Sequence, residues 1–211
     1  MRPRKRPRRS WVSSSIRYCR IMWVAGVDEA GRGPLAGPVV SAAVILDSSL
    51  RLPTLADSKK LSASRREELF SEIQQKSIAI GIGQANPREI DELNILHATL
   101  LSMKRAIEDL VVTPDRILCD GNYVPEVDIP ISAIIKGDSK IPCISAASII
   151  AKVTRDRIMH DLHLLYPYYG FDRHKGYPTR RHRSALKRYG PITEHRRTFS
   201  PVRDCLSQCS E

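Results

Sequence analysis

The sequence predicts an α/β domain built on a mixed β-sheet. Five short apolar runs are interspersed with segments of helical periodicity, and the first run leads through short turns into the second. A chain of 211 residues is long enough for one domain with a substantial core. No internal repeat interrupts this pattern, so we expect a single domain over residues 21–204.

Five segments are predicted as strands. Residues 21–28 form a short apolar run that ends in acid, and residues 39–47 form a second run. Residues 78–84 alternate apolar with small residues, which is typical of a third strand. Residues 116–120 again end in acid, and residues 131–136 complete the set.

Four segments have helical periodicity: residues 62–75, 94–111, 144–165 and a short basic stretch near 179–189. Ser62 is placed to cap the first helix, because its hydroxyl can accept a hydrogen bond from the first turn. Pro114 follows the second helix, as expected where a helix has ended. The third helix is the longest, and an aromatic loop separates it from the fourth.

The net charge of +11 is unevenly distributed. Residues 1–20 contain eight Lys or Arg and no acid, whereas residues 21–172 contain more acids than bases. Residues 173–203 contain ten Lys or Arg against one Glu. An acidic body with separate basic segments suits a protein that gathers acids around metal ions and neutralises phosphates elsewhere. A merely solvated basic face is the alternative for residues 173–203.

Composition also narrows the class of protein. The five cysteines are scattered, odd in number and without a Cys-x-x-Cys pair, which argues against a disulfide framework and a zinc site. We therefore expect reduced thiols, although Cys205 and Cys209 are close enough in sequence to pair adventitiously. No apolar run is long enough for a membrane span and no secretory signal is evident, so we expect a cytoplasmic protein without membrane contact.

The two ends of the chain fall outside the regular pattern. Residues 1–20 combine a Pro/Arg run with serines, and the sequence predicts a basic, disordered arm there. This composition fits a nucleic-acid-binding arm or an organellar transit peptide, and a translation start at Met22 is a third reading. Residues 205–211 are expected to be a C-terminal tail.

Four acids occupy strand ends or the loops that follow them. Asp28 and Glu29 close the first predicted strand, Asp120 closes the fourth, and Asp138 lies just beyond the fifth. Acids at the ends of neighbouring strands lie close together in the folded protein. Ligand sites of α/β sheets form at such places, where strand ends meet loops. An acid in such a position is costly to bury unless it is paired or binds a cation.

The chemistry that these acids favour is metal binding. No basic residue occupies matching positions in the strands, so hard divalent cations are the natural partners. Mg²⁺ prefers oxygen ligands and is often held by a few carboxylates together with substrate phosphate. Four carboxylates can hold two ions roughly 4 Å apart for an in-line displacement at phosphorus.

A glycine-rich loop follows the first acidic pair, with glycines at 31, 33 and 37. It is not a dinucleotide-binding fingerprint, because the third glycine has the wrong spacing and a strand-like run follows. It is not a Walker A loop, because no Gly-Lys-Ser/Thr follows. Glycine lets backbone groups approach a ligand closely, so this loop is placed to contact a sugar hydroxyl beside the metal.

Six motifs in this order make the chain resemble ribonuclease HII. They are DEAGRGP at residues 28–34, DSKKLS at 57–62, DG at 120–121, KGD at 136–138, SAASIIAKV at 145–153 and HKGYPT at 174–179. The resemblance covers residues 24–202, which is nearly everything except the two ends.

The resemblance implies a ribonuclease H-like fold, with a five-stranded mixed sheet flanked by helices and a helical C-terminal portion. It implies a metal-dependent endoribonuclease that acts on RNA–DNA hybrids and on single ribonucleotides embedded in duplex DNA. Cleavage with Mg²⁺ or Mn²⁺ would leave a 3′-hydroxyl and a 5′-phosphate. The metal-binding catalytic residues would be Asp28, Glu29, Asp120 and Asp138, and we expect a monomer.

The resemblance also implies a set of substrate-binding residues. Gly31, Arg32 and Gly33 would present backbone groups to the ribose 2′-hydroxyl, with Tyr177 beside them. A site that hydrogen-bonds this hydroxyl rejects a deoxy sugar, because its own polar groups are left unpaired. Lys59 and Lys60 are expected to contact phosphates. A phosphate contact and a solvated role stay equally open for Lys175, Arg180 and Arg181. A metal-activated water makes a histidine base unnecessary, so His174 is not a catalytic candidate.

Two other classes of protein share part of this pattern. Ribonuclease HIII shares the metal-binding acids, but it carries an extra N-terminal substrate-binding domain and its loop departs from Gly-Arg-Gly. A basic nucleic-acid-binding protein without catalysis suits the two basic segments. It gives no reason for four convergent acids, which repel phosphate unless a metal is bound.

Overall fold

The computed structural model describes residues 22–47 and 62–208. Five strands form the sheet: β1 (Val24–Ala30), β2 (Val39–Leu46), β3 (Ser77–Ala85), β4 (Arg116–Asp120) and β5 (Ile131–Ile134). Six helices accompany them: α1 (Ala63–Lys76), α2 (Pro87–Glu108), α3 (Pro142–Leu165), α4 (Phe171–His174), α5 (Arg180–Tyr189) and α6 (Ser200–Gln208). A 3-10 turn (Gly137–Ser139) joins β5 to α3. The predicted arm at residues 1–20 and most of the DSKKLS motif lie outside the described residues.

The sheet has the order β3-β2-β1-β4-β5. β1 pairs antiparallel with β2, and β2 pairs antiparallel with β3. On the other side of β1, both β1–β4 and β4–β5 are parallel. The predicted mixed sheet is confirmed, and β1 is its central strand.

Both faces of the sheet are covered, which explains why β2 is apolar at almost every position. Ala42 and Val44 face a core formed with α1 and α3. The alternate residues Ala43 and Ile45 face a second core formed with α2. A strand buried on both faces is expected to lack polar alternation.

The contact between β1 and the start of α3 is unusually close. A Cβ atom added to Gly26 would lie 2.2 Å from the backbone carbon of Cys143 and 2.3 Å from the backbone nitrogen of Ile144. Such a distance leaves no room for any side chain at this position. The glycine therefore sets how closely the long helix lies against the central strand.

The C-terminal third of the chain is helical, as the resemblance implied. Tyr169 and Phe171 are buried with Ala36 and Met159 in a separate cluster beside the sheet. Leu35 packs against α5 and α6 in another. The loop between β1 and β2 is therefore enclosed by residues from the C-terminal third.

The second helix was predicted to begin at residue 94, and this boundary was wrong: α2 begins at Pro87. Asn86 and Glu89 form a reciprocal capping box, and Pro87 occupies the first turn. Asn94 has φ 68°, which interrupts the helix, and its side chain accepts from the N–H groups two and three residues on. The helical periodicity that begins at residue 94 therefore marks the point where α2 resumes after a kink, and not the N-terminus of the helix.

Smaller departures concern the ends of other elements. β1 continues through Ala30, so Asp28 and Glu29 lie inside the strand. β5 ends at Ile134, two residues earlier than predicted. The helix α6 had no counterpart among the predicted segments.

The cysteines within the described residues, Cys119, Cys143 and Cys205, are free thiols, as predicted. Cys209 lies outside the described residues. None of the helices in the described part of the chain has the length and apolar character needed to cross a membrane.

We predict that Gly26→Ala lowers the free energy of unfolding by about 3 kcal/mol, because the backbone of α3 cannot yield to a new methyl group. Gly190→Ala is the control: its φ of 74° strains the alanine, but no atom lies within 4 Å of the added carbon. The control should lose less, about 1–2 kcal/mol, which comes from backbone strain alone at φ 74° and ψ 178°. Urea denaturation followed by circular dichroism measures both, and equal losses would contradict the packing argument.

Candidate active site

The sheet topology brings three acids together. β1 and β4 are parallel neighbours with Val27 opposite Cys119, so Asp28 and Asp120 follow at the same edge. Asp138 lies in the 3-10 turn that follows β5. One carboxylate oxygen from each acid can be chosen so that all three lie within 4.8 Å of one another. The convergence predicted from the strand ends is therefore present for these three residues, which we call the acidic triad.

Asp120 also holds the turn that carries Asp138. Its Oδ1 accepts hydrogen bonds from the backbone N–H of Gly137 at 2.6 Å and of Asp138 at 3.4 Å. Lys136, just before the turn, has a left-handed φ of 56°. The Asp120 carboxylate thus fixes the backbone of the turn that carries the Asp138 carboxylate.

Asp28 is 4% exposed, and its environment disfavours the charged form. Burial is the main reason that the pKa of Asp28 lies well above its ordinary value, and the charge of Glu29 raises it further. The Ser148 hydroxyl and the Glu29 N–H donate to the carboxylate and oppose this rise. The charge of Asp120 adds to the repulsion.

The acidic triad suits a hard divalent cation. Its donor atoms are all carboxylate oxygens, the ligand type that Mg²⁺ and Mn²⁺ favour. Among the described residues, no Lys or Arg forms an ion pair with Asp28 or Asp120. A cation is therefore the partner that would offset the cost of burying these charges.

The fourth predicted acid, Glu29, lies beside the triad rather than within it. Its carboxylate contacts the guanidinium of Arg32 at 3.4 Å. Burial raises the pKa of Glu29, and Arg32 opposes that rise. The charge of Asp120 also raises this pKa, so the two carboxylates influence each other electrostatically.

Two buried arginines hold the glycine loop, defined here as residues 31–38. Arg196 donates to the carbonyls of Gly31, Arg32 and Gly37. Arg155 donates to the carbonyls of Ala36 and Pro38, and also to that of Lys175. A Cβ at Gly31, where φ is 99°, would lie 2.0 Å from Nε of Arg155. Glycine is therefore required there both by conformation and by space.

These arginines have backbone carbonyls as their hydrogen-bond partners. Burial lowers the pKa of Arg155 to about 10 and the pKa of Arg196 to about 9. Both remain charged at neutral pH, and charge-assisted hydrogen bonds to carbonyls are stronger than neutral ones. These hydrogen bonds from Arg155 and Arg196 thus fix the shape of the glycine loop.

A cavity of about 470 Å³ opens between the glycine loop and α3, and Glu29 is among the residues that line it. Tyr177 lines it with its side chain 45% exposed, and its ring lies 3.4 Å from where a Cβ of Gly33 would be. Other residues of the wall are Glu29, Gly31, Arg32, Arg66, Ser148 and Lys152. The structure thus brings the predicted loop, Glu29 and Tyr177 together around one space.

Sequence reasoning missed several residues of this site. Four polar residues of α3 recur at spacings of three, four and three: Ser145, Ser148, Lys152 and Arg155. This stripe on the long apolar helix was the available signal, since i, i+3 and i+7 positions share one face. Ser148 reaches Asp28, while Lys152 lines the cavity and pairs with Asp156 at 2.6 Å.

The other basic candidates lie elsewhere. Lys175 lines a groove between α1 and α3, and Arg180 lines one between α5 and α6. The Arg181 side chain lies beside Gly170. Lys59 and Lys60 are outside the described residues.

Comparison with known proteins gives consistent matches. The family model described as Ribonuclease HII matches residues 25–202. Ribonuclease HII of Polynucleobacter necessarius subsp. necessarius is 59% identical over 190 residues, covering 88% of this chain and 96% of its own. The crystal structure of ribonuclease H2 from Pyrococcus horikoshii superposes with a TM-score of 0.77 at 33% identity, covering 90% of this chain and all of that one.

A more distant structure shares the fold. Bst-RNase HIII, crystallised in complex with Mn²⁺, superposes with a TM-score of 0.65 at 15% identity. The superposition covers 89% of this chain and 70% of that one.

We predict that millimolar Mg²⁺ or Mn²⁺ raises the melting temperature of the protein, by an amount that corresponds to about 2.7 kcal/mol when the ion is at a hundred times its dissociation constant. Asp28→Asn should abolish this increase. Without metal the variant should be at least as stable as the parent, because the raised pKa of Asp28 shows that the fold disfavours its charged form at neutral pH.

Differential scanning fluorimetry with and without EDTA measures the effect. Asp161→Asn, at an exposed position of α3, is the control and should keep the full increase. A full increase in Asp28→Asn would remove Asp28 from the metal site.

Proposed function

The chain belongs to the ribonuclease HII family, and from that premise we propose that this metal-dependent endoribonuclease, which cleaves the RNA strand of RNA–DNA hybrids, also incises duplex DNA on the 5′ side of a single embedded ribonucleotide. One observation carries the proposal: a cavity lined by the glycine loop and Tyr177 is also lined by Glu29 and by Ser148, whose hydroxyl donates to Asp28 of the acidic triad. A purely DNA-binding role gives no use for buried, mutually repelling acids.

We propose that the four acids hold two divalent ions. Asp28, Asp120 and Asp138 supply oxygens that converge, and Glu29 adds a fourth carboxylate at the edge. Divalent ions bound there supply Lewis-acid stabilisation of the charge that develops on the phosphate during in-line attack by water. The products would be a 3′-hydroxyl and a 5′-phosphate. Mg²⁺ and Mn²⁺ both suit these ligands, and the related Bst-RNase HIII was crystallised with Mn²⁺.

The glycine loop would read the sugar. Arg155 and Arg196 fix its backbone, so Gly31, Arg32 and Gly33 can present polar groups in a constant arrangement. The Tyr177 ring offers a flat apolar surface to a ribose, and its hydroxyl offers a polar contact. A deoxyribose would leave these polar groups without a partner, and such a loss strongly discriminates between substrates.

Basic residues around the cavity would neutralise the nucleic-acid backbone. Arg66 and Lys152 line the cavity itself. We keep Lys59 and Lys60 as further phosphate contacts, from the DSKKLS motif. The basic segment at residues 173–203 would hold the duplex farther from the acids, with Arg180 on its surface.

We also propose that the protein acts as a monomer in the cytoplasm. The acids, the glycine loop and Tyr177 all come from one chain. No second copy is needed to complete the cavity.

We predict that the protein with Mg²⁺ or Mn²⁺ nicks a duplex that contains one ribonucleotide, and that EDTA stops the reaction. Asp120→Asn should lower the rate by about 100-fold or more, because it removes a charge from the metal site. The fold should persist, since the amide oxygen can still accept from Gly137.

Asp161→Asn is the control for loss of a surface carboxylate and should cleave at the parent rate. Labelled duplexes resolved on a denaturing gel report both the rate and the cut position. Tight binding of the duplex without metal-dependent nicking would refute the proposed incision.

We predict that Tyr177→Ala lowers the rate of nicking at a single ribonucleotide by about tenfold or more, because the sugar loses a surface that orients it. Tyr177→Phe keeps the ring but removes the hydroxyl, so its nicking rate should lie between those of the parent and of Tyr177→Ala. Tyr189→Ala removes a tyrosine of similar exposure from the end of α5 and serves as the control. A parent-like rate in Tyr177→Ala would exclude the residue from sugar recognition.

A further inference from the structure

Three histidines lie behind Tyr177, and the reaction described above uses none of them. His182 and His195 are buried, and His174 stacks on His182 with the ring centroids 4.6 Å apart. Buried histidines joined to one another need a structural or functional reason, because each ring must satisfy two nitrogens. Their partners show what they hold.

The hydrogen bonds assign a proton to each of the two inner rings. Nδ1 of His182 lies 3.0 Å from the Tyr177 carbonyl, which can only accept, so Nδ1 carries the proton. Nε2 of the same neutral ring therefore accepts from Nε2–H of His195 at 3.1 Å. Nδ1 of His195 then accepts from the backbone N–H of Ile192 at 3.1 Å. All four ring nitrogens of His182 and His195 thus have a hydrogen-bond partner, with a single consistent assignment of donors and acceptors.

Neutral rings are consistent with this assignment. Burial lowers the pKa of His182 to about 4 and the pKa of His195 to about 3. Near neutral pH neither ring carries a charge, so both accepting nitrogens stay available.

The outer histidine fixes the same segment. His174 Nε2 donates to the Tyr169 carbonyl at 2.8 Å, and its Nδ1 accepts from the N–H of Gly176 at 3.2 Å. The residue between them, Lys175, has a left-handed φ of 49°. The turn that ends at Tyr177 is therefore held by side chains on both sides.

The His182–His195 bond joins the two segments that enclose the glycine loop. On one side, the Leu35 N–H donates to the Gly176 carbonyl at 2.8 Å. On the other, the Gly37 N–H donates to the Glu194 carbonyl at 2.8 Å, and His195 forms a bridge with Ala36. His182 is the member of the pair that bonds to the Tyr177 carbonyl, so a movement of His182 would alter the position of Tyr177 relative to the loop.

We propose that His182 is a positioning residue that holds Tyr177 against the glycine loop and thereby sets the efficiency of ribonucleotide recognition, while His195 keeps the His182 proton on Nδ1. This inference rests on the proposed role of Tyr177. Neither histidine contacts substrate; His182 acts through the Tyr177 carbonyl, and His195 acts through His182.

The test compares two amides at position 182. His182→Asn places an amide N–H near the position of Nδ1, so it can still donate to Tyr177. His182→Gln places its amide near the position of Nε2, so it can still meet His195 but not Tyr177. Each variant loses one hydrogen bond, which makes them matched for stability, and a parent-like circular dichroism spectrum checks that both fold.

Steady-state nicking of a duplex with one ribonucleotide gives the first readout. We expect His182→Asn to keep kcat within about twofold and His182→Gln to lower it by about tenfold, with KM little changed in both. In a Tyr177→Ala background, His182→Gln should cause no further loss, because its effect runs through Tyr177. Equal kcat for the two amides, or losses that multiply, would overturn the inference.

Amide hydrogen exchange over residues 174–179 gives a readout that needs no substrate. His182→Gln should speed exchange there, and His182→Asn should not. If Tyr177→Ala nicks at the parent rate, the sugar-recognition proposal fails, and exchange alone then decides the positioning claim. Unchanged exchange in His182→Gln would overturn it.

Discussion

Oxygens of three carboxylates converge within 4.8 Å at one edge of the sheet, against their mutual repulsion. This arrangement requires a rigid support, because carboxylates that repel one another would otherwise move apart into water. The parallel pairing of β1 with β4 fixes two of them, and Asp120 fixes the turn that carries the third. The close approach of α3 to Gly26 places Ser148 where it can donate to Asp28. The fold thus stores an unfavourable electrostatic arrangement that a divalent cation would relieve.

A second support lies beneath the glycine loop and uses the opposite charge. Arg155 and Arg196 meet backbone carbonyls rather than carboxylates, so they do not neutralise the acids that the metal needs. Guanidinium groups suit this task because their five N–H donors fan out in one plane. The same loop is enclosed from the side by the segments of His182 and His195. The loop that we propose recognises the sugar is therefore held from two sides, directly after the strand that carries Asp28.

Much of this was predictable from the sequence. The alternation of apolar runs with helical segments predicted the mixed sheet, and acids at strand ends predicted the convergence of Asp28, Asp120 and Asp138. The motifs predicted the family, which the comparisons confirm. The start of α2 was missed because its capping box was not recognised, and Asn94 gives the helix an internal restart. The clamping arginines were not predictable by spacing, because their partners are carbonyls, which every residue possesses. Glu29 could not be ranked against the other acids, since its contact with Arg32 depends on the curvature of the loop.

The clamp on the glycine loop joins atoms that are far apart along the chain. Arg196 donates to the carbonyl of Gly31, 165 positions earlier. During synthesis the first acids and the loop leave the ribosome long before this arginine, and their carbonyls have no guanidinium until the last part of the chain arrives. Long-range contacts of this kind form late, because a large loop must close first. A nascent or truncated chain would therefore carry the acidic residues without a working nuclease, and activity would begin only when synthesis is nearly complete.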